Sequence, residues 1–292
     1  MIIVICLIAE RFLLEHQAVR QYDWFERYSH WLSPQTASRW LTRGTLRTLA
    51  LLLPPVLITG ILQQLLAHTL FGLPGVLFAA LILLYTLGPV DLDSQTDAYS
   101  HAVENGDDES VRSIARQIIE DEPPTSEPAL SQAVSEGILH QANARIFGVL
   151  FWFLLLGPLG ALLYRLANRT PQLEDANRDM DFYLSARQLI SILDWLPARI
   201  TAVCYAIAGS FEDALYGWRS YQESRFDEFS DSNTGTLICT GSGAMRLTTL
   251  LEDANEELQD YSHLPQAAMA LVWRSLVVWL VIVGLLSLTG LF

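Results

Sequence analysis

Residues 146–164 read IFGVLFWFLLLGPLGALLY, 19 positions without a charge. A hydrocarbon core of about 30 Å takes roughly 20 residues of helix, and in lipid a helix satisfies its own backbone polar groups. The stretch therefore reads as a membrane span. Three others share its character. Residues 73–90 (LPGVLFAALILLYTLGPV) are uncharged, and 271–292 (LVWRSLVVWLVIVGLLSLTGLF) carry one cation, Arg274. Residues 48–67 (TLALLLPPVLITGILQQLLA) are apolar but interrupted by Pro54, Pro55 and Gly60. Uncharged runs of this length are the signature of membrane spans, not of core helices in a soluble protein. The expectation is an all-α integral membrane protein with about four transmembrane helices plus interfacial and loop helices. It forms a single membrane domain over 1–292, with acidic polar segments at 91–145 and 165–270.

Composition agrees. Of 292 residues, 51% are hydrophobic and 17% charged, and mean hydropathy is +0.27. The net charge of −14 argues against nucleic acid as a partner. All 18 cations are arginine, which excludes a Schiff-base lysine and a phosphate-loop lysine. Cys6, Cys204 and Cys239 show no metal or disulfide spacing, and the six histidines are scattered. No metal and no cofactor is expected. The N-terminal MIIVICLIAERFLLEH lacks a basic start and a small-residue cleavage site, so it reads as a retained helix too short to span.

Tyr22, Trp24, Phe25, Tyr28, Trp31 and Trp40 form an aromatic stretch suited to the membrane interface. Arg39, Arg43 and Arg47 share one helical face before the first span and argue for a cytoplasmic start. Arg165, Arg169 and Arg178 crowd the opposite side of the resulting topology, so the two cues oppose one another. Residues 91–136 hold 12 acids against two arginines. Two short helices are expected there, about 95–104 and 107–121, separated by Asn105–Gly106 and ended by Pro123–Pro124. The start of that segment, Asp91 to Asp97, resembles a calcium loop whose glycine and distal acid are misplaced. In the second polar segment, Ser210 is a candidate N-cap for a helix reaching about 229, and another helix is expected over 245–261. The glycine-rich stretch from Cys239 to Arg246 reads as a flexible connection rather than a phosphate turn.

Two clusters could carry chemistry. Tyr164, Arg165 and Asn168 fall within one helical turn at the end of the 146–164 stretch. There they read either as an aromatic belt with a snorkelling arginine or as an anion site. Asp194, Pro197 and Arg199 read locally as a helix start, with Asp194 as cap and proline in the first turn.

Taken together, LIAERFLL (7–14), GPLGALLYRLAN (157–168) and LDWLPARITAVCYAIAGSFEDAL (193–215) resemble the AmpE family of inner-membrane proteins linked to β-lactamase induction. That family is related to the CobD/CbiB membrane enzymes of cobalamin synthesis, which join cobyric acid to an aminopropanol unit. Against those enzymes the chain lacks acids. Their Glu-Asn-Thr-x-Asp-Gly stretch aligns with His140 to Arg145, leaving only Glu136 just upstream. Ile190 and Ser191 stand where they carry Asp-Asp, and Asp194 replaces an Asn. ATP-dependent amide synthesis needs carboxylates for metal-bound phosphates.

The resemblance therefore implies a multi-pass protein of the bacterial inner membrane. Its implied role is regulatory signalling in β-lactamase induction and cell-wall recycling, not catalysis. The alternative is a diverged ATP-dependent amide-forming enzyme of the CobD/CbiB kind. The candidate ligand-binding residues are Tyr164, Arg165, Asn168, Asp194, Arg199 and Glu136, with catalytic residues unknown. Expected partners are membrane lipid, an anionic cell-wall fragment or lipid phosphate, and a membrane or cytosolic partner protein.

Overall fold

A computed structural model describes residues 22–36, 44–67, 73–87, 89–174, 176, 179–224, 229–251, 261 and 263–288. The stretch expected as a retained N-terminal helix, Arg39, Arg43, Arg178 and most of the helix expected over 245–261 lie outside the described residues. Among the described residues there is no strand, and four helices are long and apolar enough to cross a membrane. The protein is an all-α, multi-pass membrane protein. The chain divides into two compact units, 1–88 with 144–195, and 89–143 with 196–292.

The first unit contains α1 (Asp23–Thr36), α2 (Gly44–Ala67) and α3 (Leu73–Thr86). α2 stays continuous through Pro54 and Pro55. Only 22% of its apolar window is buried, and Leu53, Leu57, Ile61 and Leu65 face outward, as lipid contact requires. The stretch 73–90 yields only the 14 residues of α3, short of a full crossing.

The opening stretch 146–164 is not one span, and this corrects the expectation. It splits at Gly157, whose φ of +68° and ψ of −150° belong to glycine alone. α6 (Glu127–Ala142), a π-helical turn (Asn143–Phe147) and α7 (Gly148–Leu156) form one leg. α8 (Pro158–Arg169) returns antiparallel to α7, with Gly148 against Tyr164 and Gly160 against the carbonyl of Trp152. Gln63 of α2 closes the tip. Its amide N–H donates to the Leu156 carbonyl (3.5 Å), and its oxygen accepts from the Leu159 N–H (3.3 Å). One side chain thus serves an orphan acceptor and an orphan donor where two helix ends meet.

The leg Glu127–Leu156 is long and apolar enough to cross a membrane, and so is α9 (Met180–Ala208), which lies in the segment expected to be polar. The helix start expected at Asp194–Pro197 is absent, because Pro197 sits inside α9. Proline leaves the carbonyl four residues earlier without a donor. That carbonyl belongs to Leu193, and the Trp152 indole N–H donates to it at 3.2 Å.

In the second unit, α4 (Pro89–Glu104) and α5 (Asp108–Ile119) form the expected pair around Gly106, with Asp107 capping α5. The calcium-like stretch 91–97 is helical and makes no loop. Gln141 donates to the carbonyls of Gln117 and Ile118 at the end of α5 (3.1 and 2.6 Å). α10 (Phe211–Ser224) and α11 (Phe229–Ala244) pack antiparallel, with Gly217 against the Cys239 carbonyl and Gly243 against that of Asp213. The stretch expected as a flexible connection is therefore mostly the last turns of α11. α12 (His263–Leu288) packs on α4 and α6 and is the fourth candidate span.

Candidate functional site

Tyr164 and Asp194 meet in the first unit. Tyr164 is fully buried, and its hydroxyl donates to Asp194 Oδ1 at 2.5 Å. The ring fits because residue 148 is glycine; a Cβ there would collide with it. Asp194 thus accepts a phenol rather than capping a helix. Asn168 donates to the Ala144 carbonyl at 3.5 Å and so ties α8 to the π-helical turn.

Arg165 follows Tyr164 and is 5% exposed. Its Nε donates to the Tyr22 hydroxyl at 3.3 Å, and its guanidinium lies 5.6 Å from the Tyr22 ring centre. Arg169, one turn on, lies over the same ring at 5.1 Å. Tyr22 donates to the Tyr85 carbonyl (3.1 Å), and the Trp24 indole donates to the Tyr85 hydroxyl (2.7 Å). Two arginines thus converge on an aromatic wall in a cation–π arrangement. Among the described residues, no carboxylate pairs with Arg165. Sequence reasoning placed Tyr22 in an interfacial belt and gave Tyr85 no role. Neither had a local signal, because Tyr22 and Arg165 are 143 positions apart.

Arg199 and Glu136 belong to the second unit. Arg199 donates to Asn233 Oδ1 at 3.0 Å, and Asn233 is itself buried. Thr201 donates to the Asn143 side chain (3.1 Å), Thr234 and His140 approach to 3.3 Å, and Tyr205 donates to the Leu139 carbonyl (2.8 Å). These contacts form a polar seam between α6, α9 and α11. Glu136 accepts from Gln132 at 2.8 Å. Its charge, after burial, pushes the Cys239 thiol above the usual range.

Among the described residues no three His, Cys, Asp or Glu side chains converge. Asp194 is taken by Tyr164, and Glu136 stands without a second carboxylate. This donor set does not fit a cage for a metal-bound triphosphate. What the first unit offers is a buried guanidinium, that of Arg165, with no carboxylate partner among the described residues.

The sequence model of the CobD/Cbib protein family matches residues 3–270. The cobalamin biosynthesis protein CobD of Stutzerimonas stutzeri is 32% identical over 236 residues, 75% of this chain and 76% of that protein. The protein of the same name in Chromobacterium violaceum is 30% identical over 167 residues, 56% of this chain and 52% of its own length. That of Brucella suis is 27% identical over 186 residues, covering 61% and 54%. No solved structure matches. These findings overturn the expected role in β-lactamase induction, because the matching family and these relatives carry cobalamin-biosynthesis names.

Proposed function

The chain belongs to the CobD/CbiB family, and from that premise we propose that it serves cobalamin biosynthesis in the bacterial cytoplasmic membrane. Its step joins the carboxylate of cobyric acid to the amine of an aminopropanol unit as an amide, one carboxylate oxygen and two amine protons being lost as the elements of water. The observation that carries the reading is Arg165. A guanidinium 5% exposed, with only the Tyr22 hydroxyl bonded to it among the described residues, is costly to bury. A substrate carboxylate offsets that cost and suits the planar fork of arginine. Arg169 adds a second cation one turn away. Tyr164, held by Asp194, fixes the helix face from which Arg165 projects.

The test is complementation. A cobalamin-dependent host lacking its own CobD-type protein receives this chain and is fed cobyric acid with aminopropanol. Growth is expected with the parent chain and lost with Arg165→Met at equal membrane abundance, while the preformed amide supports both. Growth of the parent only on the preformed amide, at normal abundance, overturns the proposal.

A further inference from the structure

Away from the arginine cluster, the second unit holds a cavity of about 390 Å³ between α4, α5 and the start of α6. At about 30 Å³ per water, that is room for roughly 13 waters. Tyr99 lines it and is only 2% exposed, yet its hydroxyl has no hydrogen-bond partner among the described residues. Burial, then the nearby Glu127 charge, push its phenol up to about 12, so it remains a proton donor at neutral pH. A tyrosine buried in all but its cavity-lining edge, whose hydroxyl meets no described residue, marks a place for a ligand or water.

Three charged side chains line the same cavity: Asp108, Arg112 and Glu127. Asp108 and Arg112 are spaced i, i+4 on α5, the spacing at which an acid and an arginine close on each other. No ion pair forms between them, and neither Arg112 nor Glu127 pairs with any described residue. Asp108 and Glu127 stand in first helical turns, where the helix dipole alone would favour them. That account leaves Arg112 and the Tyr99 hydroxyl unexplained. Val103 and Leu130 supply apolar wall between the charged rim and Tyr99.

Both signs of charge, each without an ion-pair partner among the described residues, face one small cavity that also has an apolar wall. We infer that this cavity binds a small zwitterion of the α-amino acid class. Arg112 takes the carboxylate, Glu127 and Asp108 take the ammonium, and the side chain runs along the apolar wall toward Tyr99. The inference stands apart from the function proposed above, since every residue it uses lies in the second unit.

The test uses the full-length protein in detergent. The twenty standard L-amino acids are screened singly for a saturable rise in unfolding midpoint. Each hit is then compared with its O-methyl ester, which lacks the carboxylate charge, and its N-acetyl form, which lacks the ammonium. At least one amino acid is expected to bind, with each derivative weaker by about tenfold or more, the scale of one charge-assisted hydrogen bond. Arg112→Met is expected to bind acid and ester alike, and the double change Asp108→Asn with Glu127→Gln to bind amine and N-acetyl form alike. All three side chains are exposed, so none of these changes threatens folding. Absence of binding by all twenty, or equal binding of ester and acid by the parent protein, overturns the inference.

Discussion

Replacing Gly148 with alanine tests the packing on which the candidate site depends. A Cβ at residue 148 would lie 2.6 Å from Tyr164 Cε1 and closer still to Cζ and the hydroxyl. Ordinary carbon contact needs about 3.5 Å, so α7 and α8 must part by roughly 0.9 Å or more. The ring cannot swing aside, since Tyr164 is fully buried. Overpacking of this kind costs about 1–3 kcal/mol. Displacing the phenol also breaks its bond to Asp194, worth about 1.5–3 kcal/mol for a charged acceptor. The expected loss is about 2.5–6 kcal/mol, less about 1 kcal/mol regained from helix propensity. Tyr164→Phe keeps the ring and is expected to cost only the hydrogen-bond part. Tyr164→Leu in the Gly148→Ala background removes the collision, so the double variant should recover at least about 1 kcal/mol relative to additivity. Reversible unfolding in mixed micelles, read by tryptophan fluorescence, measures each. An alanine variant as stable as the parent, or strictly additive pairs, would refute the hairpin packing.

Three further outcomes follow from the same geometry. Ala144→Cys with Asn168→Cys should cross-link rapidly under mild oxidation, because Asn168 reaches the Ala144 carbonyl at 3.5 Å. In one straight helix those positions would stand about 36 Å apart, and failure to cross-link would restore the single span. Trp152→Phe leaves the Leu193 carbonyl without its indole donor and is expected to cost about 1–3 kcal/mol. In a Pro197→Ala background the restored N–H should shrink that cost, and an undiminished effect in the unfolding assay would count against it. For Cys239, burial and then the Glu136 charge hold the thiol above its ordinary range, so alkylation should rise only at alkaline pH. Removing the charge lowers the thiol value. Glu136→Gln, with Cys6 and Cys204 replaced by serine, should therefore alkylate faster at fixed pH, and an unmoved pH profile would separate the two residues.

The class of the fold was legible because apolar length is a local property: four runs without acids imply helices in lipid. Which helices cross was not, and the reasons are specific. Hydropathy ran straight through Gly157–Pro158, although that pair is a break signal. It passed over α9 because Asp194 and Pro197 look costly in a span. Each becomes tolerable through a partner distant in sequence. Tyr164 serves Asp194 from 30 positions away, and Trp152 serves the carbonyl that Pro197 leaves open, 41 positions away. The site was legible as a cluster at Tyr164, Arg165 and Asn168, since those residues share a turn. The aromatic wall of Tyr22 and Tyr85 was not, being assembled from α3 and the chain entering α1. The assigned role failed for a different reason: missing acids argued against catalysis, yet residue losses do not choose between related families.

The pairing of polar groups also explains why Arg165 bears the functional reading. In a membrane protein an unpaired polar group within the apolar layer costs several kcal/mol. The first unit avoids this repeatedly. Gln63 serves both ends of the hairpin tip, Trp152 serves Leu193, Asp194 receives Tyr164, and Arg47 on α2 pairs with Asp179 at 3.1 Å. Against that pattern, a 5% exposed guanidinium facing only a tyrosine is the exception. In a unit that matches these other polar groups, Arg165 stands out, and on the proposed function the substrate carboxylate supplies its counter-charge. Arg165→Lys should keep the charge and lose the planar two-point grip, giving growth between that of the parent and that of Arg165→Met. Full growth with lysine would mean that charge alone, not carboxylate geometry, is what the site reads.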